Sequence, residues 1–229
     1  MRLQAVIFDF DGIVVDSEPL HHRAFSRVLE ARHLPLSWER YYEHYLGFDD
    51  RDVLRTRFQE AGIPLPDDAM CALVDEKARV FVELINTEGV NAYPGVVSLI
   101  REAANRVPLA ISSGALMSDI SPILDLLDVR SCFADIVTAD QVHVSKPDPE
   151  SYREAFRRLA ARHPGRVTDP ARCFAIEDTP AGIAAAAGAG LPVLAVQNTY
   201  PAEALAQATR VVASLESVTP DLLDRLLPS

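Results

Sequence analysis

The chain has 229 residues, 48% hydrophobic and 7% aromatic, with 33 acidic against 22 basic residues and a formal net charge of −11. That length suits one large domain or a domain carrying an inserted second one, and the apolar content is enough for a core. The acidity disfavours nucleic acid and anionic membrane as partners, since both are held by surplus positive charge.

Cys71, Cys132 and Cys173 are far apart, odd in number and without metal-ligand spacing, which fits a reduced, cytoplasmic protein. The first apolar run meets Asp9 too early for a signal peptide. The weakly polar stretch 181–196 is broken by three glycines and Pro192, so no membrane span is expected.

In chain order, Leu3–Phe8 is the first apolar run of strand length. From Ser17 to about Glu88 only helical patterns follow: Leu20, Ala24, Phe25, Val28 and Leu29, then Val53, Leu54 and Phe58, then Leu73, Val74, Val80, Phe81 and Leu84. The Gly- and Pro-containing segment 88–95 reads as a return linker. Pro108–Ile111, Ile136–Val137, Cys173–Ile176, Pro192–Val196 and Val211–Ala213 are further strand-like runs, most of them separated by helix-length amphipathic segments. Near-continuous apolar strands alternating with helices predict an α/β fold, a doubly wound parallel sheet covered on both faces. The expected domains are an α/β core of residues 1–16 and 90–229 and an inserted all-helical domain of residues 17–89.

In open α/β sheets ligands bind at the carboxyl ends of the strands, and here those ends carry reactive groups. Asp9-Phe10-Asp11-Gly12 follows the first run, placing two carboxylates on one side of an extended segment. Glu177-Asp178 follows Cys173–Ile176. Four acids converging at one sheet end suggest a hard divalent cation, and oxygen-only ligands favour Mg²⁺. Ser112-Ser113-Gly114 supplies hydroxyls and backbone N–H groups suited to phosphate oxygens, and Lys146, between Ser145 and Pro147-Asp148-Pro149, adds a cation. Acids, metal, hydroxyl and lysine together describe a phosphoryl-transfer site. Dinucleotide chemistry is disfavoured, because Gly188-Ala189-Gly190 lacks the full glycine fingerprint and precedes a strand.

Over essentially its whole length the sequence resembles the haloacid dehalogenase superfamily of phosphotransferases. Asp9 to Ser17 resembles the first motif, Ser112 the second, Lys146 the third, and Glu177-Asp178 followed by Thr179-Pro180-Ala181-Gly182-Ile183 the fourth. An all-helical insertion after the first motif is similar to the subgroup of β-phosphoglucomutase, phosphoglycolate phosphatase and sugar-phosphate phosphatases. The resemblance implies Asp9 as nucleophile through an aspartyl-phosphate and Asp11 as general acid and base. It implies that Ser112, the N–H groups of Ser113 and Gly114, and Lys146 hold the phosphoryl oxygens. Mg²⁺ would be bound by Asp9, the Asp11 carbonyl and Asp178, with Glu177 directly or through water. Gly114 stands where many relatives carry a larger residue.

In the helical insertion, Ser17, His21 and Lys77 resemble mutase substrate-side positions, and Lys77 falls on an apolar stripe where a charge needs a partner. The mutase arginine for a second phosphate is not matched in place: a gapless reading from Gly47 puts Asp50 there, and Arg51, one residue late, is the remaining substrate-side candidate. A monomeric Mg²⁺-dependent phosphatase acting on a small phosphate monoester, a sugar phosphate, is therefore expected. Phosphomutase between hexose 1- and 6-phosphates is the alternative.

Overall fold

The structure, a computed structural model, describes residues 2–45 and 48–227. Along the chain, β1 (Ala5–Phe8) and the short β2 (Val15–Asp16) precede helices α1 (Glu18–Glu30), α2 (Trp38–His44), α3 (Asp50–Glu60) and α4 (Asp67–Glu88). The two-residue β3 (Asn91–Ala92) returns the chain, and α5 (Val96–Ala104), β4 (Leu109–Ser112), α6 (Met117–Leu126), β5 (Phe133–Val137) and α7 (Glu150–Arg162) follow. β6 (Cys173–Glu177), α8 (Pro180–Gly188), β7 (Val193–Val196), β8 (Arg210–Val212) and α9 (Pro220–Leu226) complete it. The chain forms two compact units, one of the residues up to Asp16 and from Asn91 onward, the other of Ser17–Val90.

The first unit is built on a parallel six-stranded sheet in the order β5-β4-β1-β6-β7-β8. The central strands β1, β4, β6 and β7 are buried at every residue, which is why they read as unbroken apolar runs. The edges β5 and β8 are less covered. Side chains alternate across the sheet: Ala5 and Ile7 join Ala110, Cys173 and Ala175 in a core with Tyr152, Ala155 and Leu159 of α7 and Ile183 and Ala186 of α8. α5 packs on β4 and on α9 and buries Val96, Leu99, Ile100 and Ala103.

The second unit is helical. α1 buries Leu20, Ala24, Phe25, Val28 and Leu29, a stripe at helical spacing that packs on α4. Its core also gathers Leu34, Leu36, Tyr41, Tyr45, Val53, Leu54, Phe58, Met70 and Leu73.

The sequence strands recur within two residues of their expected ends, except that β5 begins at Phe133, three residues before the expected Ile136. Four elements were not expected: β2 and β3, which pair antiparallel as Val15 with Ala92 and Asp16 with Asn91, α2, capped by the Ser37 hydroxyl, and α9, capped by the Thr219 hydroxyl. Two-residue strands have no period to read, and α2 buries only Tyr41. Among the described residues no helix is long and apolar enough to cross a membrane.

Candidate active site

Strand register assembles the site. Phe8 pairs with Ile111 on one side and Ile176 on the other, so Asp9, Ser112 and Glu177 form the next row across three strand ends. The Asp9 N–H still donates to the Ile176 carbonyl at 2.9 Å. Residues in one row of a parallel sheet point to the same face. Ile7 faces α7 and α8, so Asp9, two residues on, does as well. The row lies where β1 sits between β4 and β6 and the order of strands reverses, the place where doubly wound sheets bind ligands.

Lys146 reaches this row with its Nζ donating to Asp9 Oδ1 at 2.8 Å and to Glu177 Oε1 at 2.6 Å. The Tyr152 hydroxyl donates to the same Glu177 Oε1 at 2.9 Å, and its ring lies 4.9 Å from Lys146 Nζ. Glu177 Oε2 accepts from the Asp178 N–H, the Thr179 N–H and Thr179 Oγ1. Asp178 Oδ2 accepts from Thr199 Oγ1.

Asp9, Glu177 and Asp178 bring ligand oxygens within 4.8 Å of one another, and all three are buried. Three carboxylates against one ammonium leave two negative charges uncompensated in a desolvated pocket. Burial, then the Glu177 charge, hold the Asp9 carboxyl well above the usual range, with Lys146 opposing. Burial and the Glu177 charge push Asp178 up to about 7, although the Thr199 hydrogen bond pulls the other way. Burial works against the Lys146 charge, but Asp9 and Glu177 more than offset it and hold its ammonium above the ordinary range. Asp178 Oδ1 is buried without a hydrogen-bond partner. An orphaned carboxylate oxygen, hard oxygen donors and a deficit of two positive charges fit a divalent cation.

Asp11 lies outside that trio. It is half-buried in the turn after β1, bridged to Val15, and its charge is among those raising Asp178. Gly12, with φ +81°, holds that turn, and a Cβ there would collide with the Asp178 carboxylate. Asn198 Nδ2 donates to the Gly12 carbonyl at 2.6 Å. Ser112 Oγ is fully buried with no partner, a donor held in reserve at the row.

The neighbouring residues require one correction. The Ser113 N–H, expected to be available for phosphate, donates to the Val137 carbonyl at 3.0 Å because the β4–β5 ladder runs one residue past Ser112. Ser113 Oγ instead accepts from the Ala115 N–H at 2.9 Å. Gly114 is in the open bend that follows β4.

The residues singled out in the helical unit divide. Lys77 is fully buried, its Nζ donating to Asp50 Oδ1 and to His21 Nδ1, both at 2.8 Å. Since an ammonium only donates, His21 carries its proton on Nε2. The ring stacks on Phe81 at 4.2 Å, and burial followed by the Lys77 charge hold His21 well below the usual histidine range. The charge on the α4 stripe is thus met from α3 and α1. Arg51 is exposed, Ser17 is buried just before α1, and Leu46 and Gly47, where the alignment to the mutase arginine starts, lie outside the described residues.

Tyr152, Asn198 and Thr199 escaped the sequence reading, and Thr179 entered it only as a member of the fourth motif, without a role. That role could have been found, because Thr179-Pro180 marks a helix start directly after a strand-end acid; its Oγ1 accepts from the Gly182 N–H at 3.0 Å. Tyr152 reads from sequence as an ordinary apolar position of α7.

Residues 6–196 match the family described as haloacid dehalogenase-like hydrolase. The chain is 32% identical to Protein CbbY of Rhodobacter capsulatus over 213 residues, 87% of this chain and 88% of that protein. It is 31% identical to the phosphorylated carbohydrates phosphatase of Thermotoga maritima over 191 residues, 82% of each. Among solved structures, CbbY from Rhodobacter sphaeroides in complex with xylulose-(1,5)bisphosphate superposes with a TM-score of 0.84 at 25% identity, covering 97% of this chain and 99% of that one. With its parallel sheet, inserted helical domain and acidic strand-end row, the chain belongs to the haloacid dehalogenase-like hydrolase family and is an enzyme of that family.

Proposed function

We propose that the protein is a Mg²⁺-dependent phosphatase that hydrolyses a small sugar phosphate through an aspartyl-phosphate on Asp9. The observation that carries this reading is the Ser112–Asp9–Glu177 row, with Lys146 Nζ 2.8 Å from Asp9 Oδ1 and an Asp178 carboxylate oxygen within 4.8 Å of those of Asp9 and Glu177. The relatives named as a phosphorylated carbohydrates phosphatase and as a protein solved with a ketose bisphosphate support the substrate class. A free metabolite, met by a monomer in the cytoplasm, is the setting this activity suits.

An Asp9 carboxylate oxygen attacks phosphorus, the ester P–O bond breaks, and the leaving oxygen takes its electron pair and a proton from Asp11. Asp11 then removes a proton from water, whose oxygen attacks the same phosphorus. The bond from Asp9 to phosphorus breaks, returning the carboxylate and releasing inorganic phosphate. Lys146 and the Ser112 hydroxyl hold phosphoryl oxygens as charge spreads over them. Asp9, Asp178 and the Asp11 carbonyl would hold Mg²⁺, with Glu177 directly or through water, and the bound ion supplies positive charge to the phosphoryl oxygens.

One feature favours a second reading, phosphomutase: His21 and Lys77 stand at positions that resemble mutase substrate-side residues, and the two are hydrogen-bonded to each other. Asp50 weighs against it. At the position aligned with the mutase arginine stands an anion that is already bound to Lys77, whereas a second phosphate needs a free cation.

A ³¹P NMR time course with Mg²⁺ tests the choice, using β-glucose 1-phosphate with a trace of glucose 1,6-bisphosphate, and xylulose 1,5-bisphosphate in parallel. Inorganic phosphate as the phosphorus product is expected. Glucose 6-phosphate ahead of inorganic phosphate would overturn the phosphatase in favour of the mutase.

A further inference from the structure

We propose that Tyr152 is a positioning residue: with Thr179 it locks the Glu177 carboxylate, so that Glu177 acts as the fixed acceptor aiming Lys146 at Asp9 and leaves direct cation binding to Asp9 and Asp178. The inference rests on the phosphatase reading for its kinetic consequence, but its geometry stands on the residues alone.

Glu177 is fully buried, and its carboxylate receives five donors. Lys146 Nζ at 2.6 Å and the Tyr152 hydroxyl at 2.9 Å fill Oε1. The Asp178 N–H at 3.1 Å, the Thr179 N–H at 3.3 Å and Thr179 Oγ1 at 3.2 Å fill Oε2. An ionised carboxylate offers about four lone-pair sites, so a cation bound directly to Glu177 would have to displace a protein donor. Each displaced donor would be stranded without water, at the cost of a lost buried hydrogen bond. Asp178 differs, because its Oδ1 is unpaired.

Backbone packing prevents Glu177 from turning away. A Cβ on Gly182 would fall on the Glu177 carboxylate, so the first turn of α8 closes directly over it. Thr179 serves two purposes: its Oγ1 donates to Glu177 and accepts from the Gly182 N–H. The carboxylate thus sits at a helix N-terminus, where partial positive charge holds an anion.

Tyr152 touches both members of the ion pair. Its hydroxyl bonds Glu177 and its ring lies 4.9 Å from Lys146 Nζ, an arrangement that favours an ammonium over the ring. The residue is fully buried on α7, so its hydroxyl has no solvent alternative. Tyr152→Phe removes that one donor and keeps the ring.

The sequence supplies an unusually clean probe. The chain has only two lysines, Lys77 and Lys146, so protein labelled with ¹⁵N-lysine yields two side-chain ammonium resonances, assigned with Lys146→Arg. In Tyr152→Phe the Lys146 resonance is expected to shift and its protons to exchange at least about tenfold faster, while Lys77 stays unchanged; with Mg²⁺ and a phosphomonoester, kcat falls about tenfold at nearly constant KM. Calorimetric titration with Mg²⁺ is expected to find Glu177→Gln a tighter binder than Asp178→Asn. An unchanged Lys146 resonance with only a lowered melting temperature would make Tyr152 a packing residue and overturn the proposal, as would weaker Mg²⁺ binding by Glu177→Gln than by Asp178→Asn. The ammonium and calorimetric measurements need no substrate. Failure of the phosphatase reading would therefore appear as an inactive wild type whose Lys146 resonance still responds to Tyr152→Phe.

Discussion

Asp178 carries the charge imbalance of the site in its own titration. Its carboxyl is pushed up to about 7 by burial and by Glu177, against an unfolded value near about 4. A carboxyl whose folded pKa is raised favours folding while protonated. Its contribution is full below the unfolded value and is lost as pH rises through about 7. A divalent cation binds the ionised form and so must displace that proton. Mg²⁺ is therefore expected to raise the melting temperature more at pH 8 than at pH 6, as thermal scans at both pH values would measure. An equal rise at both would detach Asp178 from the cation. At Cys173, burial pushes the thiol up to about 12, while Cys71 is exposed. Iodoacetamide applied to the native protein is expected to label Cys71 and spare Cys173, which peptide mass spectrometry would read.

At the scale of elements, the β6–α8 junction and the α4 stripe make separable predictions. Gly182→Ala drives a methyl into the Glu177 carboxylate. It is expected to destabilise the fold by about 1–3 kcal/mol and to depress turnover further than the loss of folded protein explains. Lys77→Ala leaves the half-buried Asp50 carboxylate without its counter-ion and His21 Nδ1 without its donor. Removing one partner of a buried pair costs about 3–5 kcal/mol, and urea unfolding should register it. The strands themselves were legible, because β1, β4, β6 and β7 are buried on both faces and so read as apolar runs. The acids, Ser112 and Lys146 were legible as strand-end or loop groups. The Ser113 N–H was not, because only the register with β5 discloses that the ladder continues to Val137. Nor were the partners of Lys77 and Glu177, since Asp50, His21 and Tyr152 meet them across long sequence separations.

For the whole molecule, the net charge of −11 opposes any anionic ligand, and the exception has to be local. Lys146 is one part of that exception, and the cation site at Asp9 and Asp178 beside Glu177 is the other. Excess EDTA is accordingly expected to silence turnover and added Mg²⁺ to restore it; unaltered activity in the chelator would remove the metal from the account. The most direct test of the central claim is Asp9→Asn, compared with wild type in phosphate release and in intact mass after acid quench with substrate. The expected result is a folded variant without turnover, together with a wild type that carries one hydroxylamine-labile phosphoryl group absent from the variant. Near-normal phosphate release by Asp9→Asn would contradict Asp9 as the nucleophile.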